Sequence, residues 1–109
     1  MTTPQKTTIP IFTHTGSFAE NKDIAKQLRE TIIIPALRNQ QQVIIDFDQV
    51  SGTTQSFVHA LISGPIRQFH TIALDNLLFK NCNAEVQGII RIVFAYMQES
   101  MSTEDFDAD

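Results

Sequence analysis

The chain has 109 residues, of which 42% are hydrophobic, enough to close one core and too little for two. Its formal charge of −4 is uneven: Glu99, Glu104, Asp105, Asp107 and Asp109 crowd the last stretch, while the rest carries seven acids and eight bases. No basic patch interleaved with aromatics argues for nucleic acid, no apolar run approaches the roughly 18 residues of a membrane span, and one cysteine excludes an internal disulfide framework and a thiolate zinc site.

The opening segment, MTTPQKTTIPIF, lacks an apolar signal core, so the expectation is a soluble cytoplasmic protein. Residues 1–8 are polar and read as a flexible end. Ile9–Thr13 is a short strand candidate, with Pro10 at its start or on an edge because it cannot donate to a ladder. His14–Ser17 turns around Gly16. Asn21 caps a helix reaching about Leu37, with Ile24, Ala25, Leu28, Ile32 and Ile33 at helical spacing. Pro35 should end that helix near Ile33 or kink its last turn.

Val43–Phe47 is an apolar, β-branched strand that closes on Asp46 and Asp48. A hydroxyl-rich loop with Gly52 follows, and Thr53 or Thr54 can cap the next helix. That helix buries Phe57, Val58, Leu61 and Ile62, and Gly64–Pro65 should break it. Leu77–Lys80 is a third strand, and a further strand could lie in His70–Asn76. Asn81 or Asn83 caps a last helix running to about Gln98, with Val86, Ile89, Ile90, Val93, Phe94 and Met97 as its stripe. Residues 99–109 have the composition of a disordered acidic tail. Strands alternating with helices predict an α/β fold around a small, largely parallel sheet.

Ligands and partners of such folds meet the carboxyl ends of strands and the helix starts beside them. Three constellations lie there. Asp46-x-Asp48 after a strand resembles the first motif of haloacid-dehalogenase-like phosphatases, in which paired carboxylates converge on a phosphoryl group beside Mg²⁺. The downstream acidic pair of that chemistry has a counterpart only in the tail, so Asp46 reads first as a residue ordering the next loop. Ser56, His59, Ser63 and Arg67 recur at spacings of three and four on the side of a helix away from Phe57 and Leu61. They form a solvated or partner-facing surface, since Ser56 lacks a nucleophile elbow. Cys82 stands at a helix start, where thiols can become reactive, although packing is the commoner role. His14, His59 and His70 have no metal-ligand spacing, and no cofactor is expected.

The order strand, helix, VIIDFDQV, hydroxyl-rich loop, then a helix entered through QSF is similar to the STAS domain of anti-sigma-factor antagonists and sulphate-transporter tails. It resembles most an uncharacterised STAS-like branch, through Ile45–Val50, Ser56–Phe57, Phe79–Asn81, Ile90–Val93 and Tyr96. The resemblance covers about residues 9–98. It implies a mixed sheet of four or five strands with helices mainly on one face, and a non-enzymatic regulatory module that binds another protein. In antagonists that partner is an ATPase of the histidine-kinase-like fold, released by phosphorylation of a serine at the second helix start, within a motif like D-S-x-G-L. Here Thr54 stands at the Asp position, Gln55 at the phosphoacceptor position and Phe57 at the Gly position, with Ser56 one residue along.

The expected contact surface is therefore Asp48, Thr53, Thr54, Gln55, Ser56, His59, Ser63 and Arg67, with Ser56 or Thr54 as the phosphoacceptor. Two other readings stand beside it. One is a small Mg²⁺-dependent phosphatase using Asp46 and Asp48. The other is a sensor holding a nucleotide or other anion at the Thr53–Ser56 helix start.

Overall fold

The computed structural model describes residues 5–107, so the outer parts of the two expected flexible ends, 1–4 and 108–109, lie outside the described residues. Three strands carry the fold: β1 (Lys6–Pro10), β3 (Gln42–Asp46) and β5 (Leu77–Lys80). They form one parallel sheet in the order β1-β3-β5, with Lys6 opposite Gln42, Pro10 opposite Asp46, and Asp46 opposite Lys80. The strand that closes on Asp46 is therefore central. A second, two-stranded pairing joins β2 (Phe18–Ala19) to β4 (Gly52–Thr53), also parallel. The fold is mixed α/β, and its strands divide three and two, with every pair parallel among the described residues, instead of forming one mixed sheet.

Alternation along the strands shows which face the helices cover. Ile9, Val43, Ile45 and Leu77 are buried, whereas Thr8 and Leu78 on the other face are exposed and Ile44 is half-buried. The core lies on the first face, where Leu28, Leu37, Phe57, Leu61, Val86 and Val93 close over the sheet.

The first strand begins and ends earlier than the expected Ile9–Thr13. Lys6–Thr8, assigned to the flexible end, pair with Gln42–Ile44. Pro10 ends the strand, and Ile11–Thr15 form the short helix α1, with the Thr13 hydroxyl donating to the Pro10 carbonyl at 2.7 Å. Gly16 closes α1 with φ 78° and ψ −160°, a conformation essentially reserved to glycine.

Asn21 caps α2 (Lys22–Leu28) as expected, its Oδ1 accepting from the Asp23 and Ile24 amides. Pro35 does not stop the helix. A π-helical turn at Arg29–Ile33 widens the spiral before the proline ring, and α3 (Ile34–Arg38) continues from it. Likewise α4 (Gln55–Phe69) runs through Gly64–Pro65 without breaking. Pro65 is buried, so the packing around it holds the helix in place. Arg29 Nη1 also donates to the Ala60 carbonyl at 3.0 Å, in the turn just before the proline. His70–Asn76 gives no strand: Thr71–Asn76 is the short helix α5.

Gly64 lies inside α4, where a methyl group would meet only the Arg29 side chain, at 3.4 Å from Cδ and 3.9 Å from Nε. Gly64→Ala is therefore expected to raise stability by about 0.5–1 kcal/mol in a urea titration, through reduced backbone freedom of the unfolded chain. A loss of stability would mean that α4 and the Arg29 turn sit closer than described.

The last helix, α6 (Ala84–Asp107), starts at the Asn83 cap, whose Oδ1 accepts from the Val86 amide at 2.8 Å. It continues beyond the expected end at Gln98, and no glycine or proline follows to stop it. Among the described residues no helix is long and apolar enough to cross a membrane.

Candidate functional site

The loop from β3 to α4 is built from its own side chains. Asp46 Oδ1 accepts from the Asp48 amide at 2.9 Å, which bends the chain, and from Asn81 Nδ2 at 2.9 Å, which ties the loop to the end of β5. The Val50 amide donates to the Phe47 carbonyl, and Gln49 takes φ 69°. The Ser51 hydroxyl donates to the Ser17 carbonyl, and the short β2–β4 pairing follows. Gly52 is required where Phe18 crosses it, since a Cβ there would stand 2.9 Å from the ring.

Asp46 is held below the ordinary aspartate range, first by the Asn81 hydrogen bond, then by the Asp48 amide and the Lys80 charge, against some desolvation. Its bonds add stability that is complete above the unfolded-state pKa and is lost as pH falls through the lower folded-state value. Asp46→Asn keeps an oxygen for both donors, so it should fold while flattening the loss of stability as pH falls through and below the ordinary aspartate range. Identical pH profiles for both proteins would remove the loop-ordering role. Asp48 is exposed and takes part through its backbone. Among the described residues no three His, Cys, Asp or Glu side chains are placed to hold a metal ion. The Cys82 thiol is pushed up by burial and by the Asp46 charge, opposite to what a reactive thiolate needs.

The hydroxyls divide into distinct roles. Thr53 is buried, and its Oγ1 donates to the Ala19 carbonyl at 2.7 Å, so it cannot face a partner. This corrects its place in the expected surface; the β2–β4 pairing draws it inward. Thr54 is the N-cap of α4, its Oγ1 accepting from the Phe57 amide at 3.1 Å and lying 3.3 Å from Ser56 Oγ. Ser56 and Gln55 are exposed in the first turn, beside the positive end of the helix. Phe57 points the other way and is fully buried.

Three of the expected residues, Gln55, Ser56 and His59, line an open groove of about 460 Å³. Its other walls are Lys22 at the start of α2 and Ala60, Val93 and Tyr96. Tyr96 is 62% exposed. Ser63 is half-buried and Arg67 exposed on later turns of α4, and neither lines the groove; nor does Asp48. Lys22, Val93 and Tyr96 were not expected in the site. Tyr96 is legible in the sequence only as one of the residues that carry the resemblance to the STAS-like branch.

The groove combines a helix start, a cation, an imidazole and an exposed phenol around an apolar floor. This suits recognition of a polar or acidic surface with an apolar anchor. A family model described as a STAS-like domain of unknown function (DUF4325) matches residues 25–87, from α2 into the start of α6. No curated protein and no solved structure gives a match.

Proposed function

Because the chain belongs to this STAS-like family, we propose that it is a regulatory module that works by binding another protein at the tip of α4. The observation that carries the reading is the groove, where Lys22, Ser56, His59 and Tyr96, from three separate helices, face the same open space. The partner is an ATPase of the histidine-kinase-like fold, as for the anti-sigma-factor antagonists that the sequence resembles. Arg67 and Ser63 extend the contact along α4. The chain acts without catalysing a reaction; Asp46 supports that view, since its carboxylate is spent on ordering the loop.

Ser56 is the switch residue of this proposal. It is the exposed hydroxyl of the first turn, whereas Thr54 is occupied as the cap and Thr53 is inside. A phosphate on Ser56 would meet the helix start and Lys22, adding nearly two negative charges to the contact surface. The test is calorimetric titration of the full chain with ATPases of that fold from its own organism. Binding that Ser56→Asp weakens is the expected result. No binding by any of them would overturn the partner class.

Lys22 beside the helix start favours one second reading, an anion or nucleotide sensor at Thr54–Ser56. A rise in melting temperature with a nucleotide, abolished by Lys22→Ala, would select it.

A further inference from the structure

We infer that Arg29 is the positioning residue of the groove, an inference that rests on reading that groove as the contact site. Its guanidinium, set on the Ala60 carbonyl, fixes how far the wall that carries Lys22 stands from the wall that carries Ser56 and His59.

The two walls start from one place. β2 and β4 pair in parallel, Ala19 opposite Thr53, and α2 and α4 begin within three residues of that pair. The helices leave side by side in the same direction and pack on each other. Lys22 and Arg29 are two turns apart and share one side, and both meet α4, Lys22 across the groove and Arg29 at Ala60. Yet α2 holds only seven residues before the π turn begins at Arg29, so the Lys22 wall is a short piece that no regular spiral continues. Its buried residues, Ala25 and Leu28, are apolar. Apolar contact is non-directional and lets packed helices slide in small steps.

A directional bond stops the slide. Among the described residues, the bond from Arg29 Nη1 to the Ala60 carbonyl, at 3.0 Å, is the only side-chain hydrogen bond between α2 with its π turn and α4. Arg29 Nε donates to Glu30 Oε2 at 2.9 Å, which orients the planar fork. The stem passes Gly64, where an added Cβ would stand 3.4 Å from Cδ. Ala60 lines the groove and Arg29 does not, so the bond acts on the site without entering it. One such bond adds modestly to global stability, but it sets one distance.

The test places spin labels on Lys22→Cys and His59→Cys, both exposed positions, in the Cys82→Ser chain. The distance distribution should be narrow. Arg29→Met keeps an unbranched stem but removes the donor, and should widen the distribution about twofold. Arg29→Lys restores a donor and should narrow it again. A second labelled pair on α6, Arg91→Cys with Gln98→Cys, should not respond, and Arg29→Met should lower the melting temperature by no more than about 8 °C. In titrations with the ATPase, Arg29→Met should weaken binding about fivefold although its side chain lies outside the groove. The label distances need no partner, so an absence of ATPase binding would count against the partner class and leave the Arg29 role standing. Equal widths for Arg29→Met and the parent would overturn that role. So would a widening that Arg29→Lys does not reverse or that the α6 pair shares, or an ATPase complex that Arg29→Met leaves as tight.

Discussion

Phe57→Ala is expected to cost about 3–5 kcal/mol, a large share of the roughly 5–15 kcal/mol that a domain of this size holds. The ring is fully buried in the first turn of α4, within the same core as Ile45 on the central strand. Removing it leaves a cavity that close-packed neighbours fill only in part. The same turn carries the Thr54 cap, whose oxygen accepts from the Phe57 amide, so the cavity would loosen the helix tip. The midpoint of urea unfolding should fall sharply, with the variant partly unfolded in buffer. Phe57→Leu keeps most of the volume and should cost about 1.5 kcal/mol or less. Equal, small losses in both variants would mean that the ring does not anchor the tip.

The second large effect is on binding. Ser56→Asp should weaken the partner complex at least tenfold, about 1.4 kcal/mol, while leaving the isolated domain as stable or more stable by about 0.3–1 kcal/mol. The two signs differ because the same charge meets different surroundings. In the free chain it sits in the first turn of α4, near the positive helix end and Lys22, in water. In the complex it must be desolvated against a surface that accepted a neutral hydroxyl. His59→Ala, one turn along the same groove wall, should weaken binding without the gain in stability. Gln68→Glu, exposed on the far turn of α4, supplies the control and should leave the dissociation constant unchanged. If binding falls only as far as folding does, Ser56 has no direct role in the contact.

These two neighbours, Phe57 and Ser56, show how much of the site was legible. Their opposite directions follow from the helical period alone, because the apolar residue at the start of FVHAL, Phe57, must turn inward. The Asn21 cap was equally readable, and the caps Thr54 and Asn83 were each legible as one of two neighbouring candidates, since a short polar side chain before an apolar run satisfies free amides locally. Leu77–Lys80 appears as a strand with the bounds its apolar run predicts. What periodicity could not supply was the β2–β4 pairing. Two residues on each side are too few to show alternation, yet that pairing buries Thr53 and fixes where the helix tip begins.

The amino-acid sequence by itself determined the three strands of the main sheet to within a few residues, the long helices, the Asn21 cap, the buried faces and the likeness to STAS domains, because propensity, period and capping act within a few residues. Tertiary structure decided the rest. Pro35 and Pro65 are strong local breakers, but the chain passes both, through a π turn at one and burial at the other, because core packing outweighs a lost hydrogen bond. Lys22, Ser56 and Tyr96 lie far apart in the chain and share one groove only because α2, α4 and α6 meet on the same face of the sheet.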